Sequence, residues 1–175
     1  MTKLTLAFVS FAVLVVPMDG QSPPSIQGVW RNVERTIPAS TTPGARVDPF
    51  AHIPPGTQTD VQPGLLIFTA RHYSRTTDTA AEPRPTSAYA TPDKPTLTEL
   101  QARWGPFAAN AGIYEVSGST LTLRVLVAKN PAEQRGETVA RLTIKVDGNY
   151  LWLTPFENNA GPIAAGVTSK YVRVE

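Results

Sequence analysis

Cysteine is absent from the 175-residue chain, and histidine and methionine occur twice each. Without a thiol there is no disulfide, no thiolate metal site and no cysteine-linked lipid, so stability has to come from a packed core. The two histidines, His52 and His72, lie too far apart in sequence to suggest a zinc site, and the acids lack calcium-loop spacing. Charge is also sparse: 17% of residues are charged, the net charge is +2, and Lys and Arg are interspersed with acids rather than gathered in a stripe. Nucleic acid and anionic membrane are therefore poor specific partners. No Gly-rich phosphate loop, G-x-S-x-G or H-E-x-x-H motif occurs, and neither a metal nor a cofactor is expected.

One apolar run does occur. Lys3 precedes residues 4–16, LTLAFVSFAVLVV, too short to span a bilayer comfortably and followed at once by Pro17. This is the form of a signal peptide, with Gly20 the best small residue at its end. Residues 1–20 are expected to be removed, leaving 21–175 as one secreted or periplasmic domain with no membrane span and core enough to fold. The oligomeric state is not legible.

The 17 prolines crowd the lead-in, the stretch 38–63 and the stretch 82–95. Proline cannot donate to a sheet ladder, so these stretches read as long loops. Between them lie β-type runs. GLLIF (64–68) leads through TARH into YSRTTD, a hairpin with a loop of three or four residues. GIYEV (112–116) and TLTLRVLVA (120–128) flank Ser117-Gly118, while TVARLTIKV and NYLWLTPF flank Asp147-Gly148, the strongest short hairpin signal present. With the opening run IQGVWRNVER and the terminal KYVRVE, about eight strands are expected. Thr96-Leu97-Thr98-Glu99 has the form of a capping box, and Leu97, Leu100 and Trp104 recur at helical spacing before Pro106. The expected fold is all-β: an antiparallel up-and-down barrel of about eight strands, with one short helix and long Pro-rich loops.

Gly28-x-Trp30 on the first strand, GLLIF with HYS (64–74), FAANAGIYEVSGSTLTLRVLVAKNP (107–131) and a terminal strand carrying Arg173 together resemble bacterial secreted proteins with a lipocalin-like domain. The similarity covers nearly all of the chain after residue 20. It implies a calycin-type barrel whose first-strand Trp packs near the closed end against a basic residue of the last strand, here Trp30 and Arg173 beside Gly28. Such a cation–π contact is worth about 0.5–2 kcal/mol and closes the barrel. Such domains mostly bind small apolar molecules and some relatives are enzymes, so the resemblance carries no catalytic residue.

Two-residue turns set the register. With Ser117-Gly118 as the loop, Val116 pairs with Ser119 and Tyr114 with Leu121; Tyr114, Val116, Leu121, Leu123, Val125 and Val127 then share the core face. With Asp147-Gly148, Ile144 pairs with Leu151 and Leu142 with Leu153, and Trp152 lies outside, diagonal to Arg141 and Lys145. The interior is thus an aliphatic wall, filled by side chains or by an apolar ligand.

Candidate chemistry is thin. His72 followed by Tyr73 has the composition of an acid–base dyad, although the simpler reading of His72 is a turn residue. His52, among prolines, reads as solvated. Glu99, Glu115 and Glu157 read as surface charges rather than a catalytic pair. Phe68, Tyr73, Tyr89, Trp104, Phe107 and Tyr114 are candidates to meet at the open end as a binding mouth, with His72 and Asn110 beside them; alternatively Trp104 plugs the barrel and Asn110 merely ends the helix. The leading expectation is a secreted lipocalin-like protein binding a small apolar or amphipathic molecule. The alternatives are an isomerase, cyclase or hydrolase working through His72, and a ligand-free barrel adaptor whose Pro-rich loops hold another envelope protein.

Overall fold

The computed structural model describes residues 25–39, 55–86, 88–133, 139–164 and 166–175. The expected leader 1–20, His52 and most of the 38–63 stretch lie outside them. The elements are β1 (Gly28–Ile37), β2 (Gly56–Gln58), β3 (Gly64–Phe68), β4 (His72–Asp78), α1 (Leu97–Trp104), β5 (Phe107–Ser117), β6 (Thr120–Ala128), a 3₁₀ turn (Pro131–Glu133), β7 (Val139–Asp147), β8 (Tyr150–Asn158), β9 (Gly161–Pro162) and β10 (Thr168–Arg173).

Eight of the strands run antiparallel in the order β10-β1-β3-β4-β5-β6-β7-β8, and β8 pairs back onto β10 to close the barrel. The small β2 extends the sheet beside the end of β1, so the Pro-rich stretch before residue 64 holds a short strand where only loop is expected. No helix among the described residues is long and apolar enough to cross a membrane.

The registers define two ends. Gly28 opposes Phe68, the Arg173 N–H donates to the Asn149 carbonyl at 2.8 Å, and the three tight hairpins join strands at this same end. We call it the hairpin end. The other, the loop end, carries α1, the 3₁₀ turn, β9 and the Pro-rich stretch 79–95.

Both two-residue hairpins turn one residue later than expected. Ser117 opposes Thr120 and Asp147 opposes Tyr150, so the loops are Gly118-Ser119 and Gly148-Asn149. Gly118 and Gly148 have a positive φ while Ser119 and Asn149 do not, which is the type II′ pattern with glycine first. The shift moves every partner by two, so facing survives: Leu121 and Leu123 point inward opposite Val116 and Tyr114.

Bulges are what overturn the facing further along. Val125 opposes Gly112 and Val127 opposes Ala111, leaving Leu126 as an extra residue. Val127, expected in the core, is consequently 57% exposed, and Ala128 is buried instead. Gly112 sits at the pinch: a Cβ there would fall inside contact distance of the Arg124 carbonyl oxygen. A second bulge on β8 brings Arg141 opposite Glu157, and the two form an ion pair at 2.6 Å. The later turn has already placed Lys145 opposite Trp152 and Arg141 away from it, and the Trp152 ring is covered by Lys145 at 5.0 Å and Lys170 at 5.6 Å.

Inward alternation builds an apolar core toward the hairpin end from Trp30, Leu66, Phe68, Leu121, Leu123 and Leu151, joined by Tyr73 and Tyr171. Burial of each such side chain contributes about 1.5–3 kcal/mol. The helix adds little to this. Its capping box is formed, with the Glu99 N–H donating to Thr96 Oγ1 and the Thr96 N–H donating to Glu99, but none of its residues is buried.

Candidate functional site

At the hairpin end, Trp30 is fully buried and its Nε1–H donates to the Ile26 carbonyl at 2.7 Å. The Arg173 guanidinium lies 4.1 Å above the indole and donates to the carbonyls of Gln27 and Ser25, strapping the chain before β1 across the barrel end. Gly28 holds φ +129° there, and a Cβ on it would collide with Arg173 and Glu175. Phe68 and Tyr114 meet edge to face at 4.9 Å, and the Tyr114 hydroxyl donates to the Thr69 carbonyl at 2.7 Å. These residues form the closed floor.

His72 also stands at this end, exposed, its N–H donating to Thr69 Oγ1 at 3.1 Å. Successive strand residues point to opposite faces, so His72 points out where Tyr73 points in and the dyad suggested by their adjacency is not formed. Glu99 is engaged in the helix cap, where backbone N–H groups of Ala90 and Thr96 hold its carboxyl below the usual range. Glu115 is exposed, and Glu157 pairs with Arg141. Among the described residues no group of three or more His, Asp or Glu is placed to hold a metal ion.

The remaining aromatics sit at the opposite end. Tyr89 lies under the Arg103 guanidinium at 4.1 Å, its hydroxyl 3.4 Å from Trp104 Nε1, and Trp104 meets Phe107 edge to face at 6.4 Å. Trp104 is 53% exposed and does not plug the barrel. Arg84 fastens this segment to the rim, pairing with Asp78, donating to the Arg103 carbonyl at 2.9 Å and covering Phe107 at 5.1 Å. Two clefts of about 380 and 390 Å³ flank the Asp78–Arg84 pair, the second reaching Asn32 and Gly64 where β1 parts from β3. The expected aromatic mouth is thus divided: Phe68, His72 and Tyr114 at the hairpin end, Tyr89, Trp104, Phe107 and Asn110 at the loop end.

Tyr73 links the two regions. Its ring lies 6.5 Å from Phe68 in the core. Its hydroxyl belongs to a polar layer above the apolar floor that reading for aliphatic alternation does not find. Arg75 and Asn110 are cross-strand partners on the same inner face as Tyr73, and Asn32 faces inward from β1. Arg35, past a bulge at Val33, is inward as well and only 2% exposed. Asn110 Nδ2 donates to Glu133 at 3.2 Å, which fixes the amide with its oxygen turned away.

Four buried atoms of this layer have no hydrogen-bond partner among the described residues: Asn32 Oδ1, Tyr73 Oη, Arg75 Nε and Asn110 Oδ1. Each such atom costs about 1–3 kcal/mol when left unmatched, and folded domains keep few of them. Burial pushes the Tyr73 phenol up to about 12, the Arg75 charge opposing and the Glu133 charge adding to the effect. Tyr73 is therefore a neutral hydrogen-bond donor at ordinary pH. A guanidinium, a neutral phenol and two amides over an apolar floor are groups that bind and orient a small molecule. Hairpin pairing with Phe68 puts Tyr73 and Arg75 on one inner face, a signal the sequence does hold; Arg35 is concealed by the bulge before it. Models of known protein families do not match the chain, and no curated protein matches it.

Proposed function

We propose that the protein is an exported, lipocalin-like barrel that binds a small amphipathic molecule, its apolar part on the floor and its polar end on Tyr73, Arg75, Asn110 and Asn32. The observation that carries this reading is the set of unpartnered polar atoms grouped on neighbouring inner walls. An eight-stranded barrel is wide enough for its own side chains or for one small ligand. Polar atoms on an inner wall take their partners from ordered water or from a ligand's polar end, and their grouping above an apolar floor suits an amphipathic ligand. Of the four polar residues, Asn32 also lines a rim cleft, the one of about 390 Å³ beside Arg84. Export rests on the leader-like residues 1–20.

Native mass spectrometry of protein purified from its own host tests the reading. The expected result is an added mass of small-molecule size that is lost on denaturation, on a chain beginning near Gln21. A chain of apo mass that no amphiphile in a thermal-shift panel stabilises would overturn the binding reading; an intact residue 1 on the mature protein would overturn export.

A further inference from the structure

We infer that the polar end of the ligand is a carboxylate with a hydroxyl two or three bonds away, a hydroxy acid on an apolar tail; this rests on the binding reading above. Among the described residues, Arg75 on β4 and Glu133 on the 3₁₀ turn bring charge to the Tyr73 hydroxyl. Asp78, the acid next along β4, is already engaged by Arg84. The Glu133 carboxylate already accepts from Asn110, while the Arg75 guanidinium keeps a donor unused, which favours an anionic head and opposes a cationic one. A planar carboxylate matches the fork of a guanidinium, and the unpartnered Arg75 Nε and Tyr73 hydroxyl are both donors suited to it.

The amide of Asn110 adds a second requirement. Because its nitrogen is held by Glu133, its free atom is an acceptor, and a carboxylate offers that atom nothing. A donor on the ligand is needed within reach of Arg75, since Asn110 lies directly across the strand pair, where opposed residues stand about 4.5–5.5 Å apart. A hydroxyl close to the carboxylate meets both demands.

Isothermal titration of the purified full-length mature protein with 3-hydroxydecanoate, decanoate, decanol and decylammonium separates the possibilities. Decanoate is expected to bind about tenfold tighter than decanol, the equivalent of one charge-assisted hydrogen bond. 3-Hydroxydecanoate should bind severalfold tighter again, and decylammonium weakest. Arg75→Met should erase the difference between decanoate and decanol, while Asn110→Ala erases only the gain from the hydroxyl. Decanol or decylammonium binding as tightly as decanoate to the wild type would overturn the carboxylate while leaving the binding reading in place. Equal affinity for decanoate and 3-hydroxydecanoate would overturn the hydroxyl. Binding of none of the four would remove the amphiphile reading and this inference together. The wild-type comparisons decide even where a variant fails to fold.

Discussion

Tyr73 has its ring among leucines and its hydroxyl beside Arg75 and Glu133, so its protonation state reports on the whole layer. Folding raises the phenol from 10.0 to about 12, so the neutral form is the one the folded state favours. Its contribution to stability is complete below the unfolded value and is lost as pH rises through the window between the two. Urea unfolding of wild type should accordingly weaken more between pH 10 and pH 12 than that of Tyr73→Phe, and parallel curves would show that the phenol is not buried as described. Arg173 is a second residue whose effect is separable. It stacks on Trp30 and donates to two carbonyls of the chain before β1, so Arg173→Ala should cost about 2 kcal/mol in urea unfolding. Lysine there should recover only part of this, because an ammonium cannot stack flat while donating in two directions. The Trp30–Arg173 pair is legible in the sequence through the resemblance to lipocalin-like barrels, which implies it. Asn32 and Arg35 are not legible there, because the bulge at Val33 exchanges the faces of NVERTI between them, whereas Arg75 shares the inner face that the pairing of Tyr73 with Phe68 marks.

Strand order and helix are the elements that reading by pattern recovers, since period-two alternation, glycine turns and a capping box are local chemistry. What it misplaces are offsets of one residue: glycine first rather than second in the hairpin turns, and bulges at Leu126 and on β8. A bulge leaves no strong sequence mark, yet it exchanges the two faces of every residue beyond it. Gly112 is the closest to such a mark. Replacing it by alanine drives a methyl group into the Arg124 carbonyl, and Gly112→Ala should lose more than about 3 kcal/mol of stability or fail to accumulate folded protein. The cap of α1 should behave differently, because the helix buries nothing. Thr96→Ala should cost the helix about 1 kcal/mol, seen as roughly fivefold faster amide exchange at Leu100, with the barrel's unfolding midpoint unchanged. A matching loss in the barrel would mean that helix and barrel unfold as one unit.

Across the whole molecule the barrel is two stacked environments, an apolar floor closed by Trp30 and Arg173 and a polar layer beneath the loop end. The floor supplies the apolar burial, and hydrogen-bonding atoms above it that lack partners among the described residues oppose folding in the absence of ligand. A layer kept for stability and a layer kept for binding therefore respond in opposite ways to being made apolar. Tyr73→Phe removes one unmatched hydroxyl, and Arg75→Met replaces an inward guanidinium by a side chain of similar length. If the layer exists for a ligand, the double variant should gain about 1–3 kcal/mol in urea unfolding at pH 7. For a chain of this size that corresponds to a rise in melting temperature of about 2–4 °C per kcal/mol. The same variant should no longer distinguish decanoate from decanol. Loss of stability in the double variant would instead make the layer part of the scaffold, its polar atoms satisfied by groups within the protein, and the site would then have to be sought in the clefts beside Arg84.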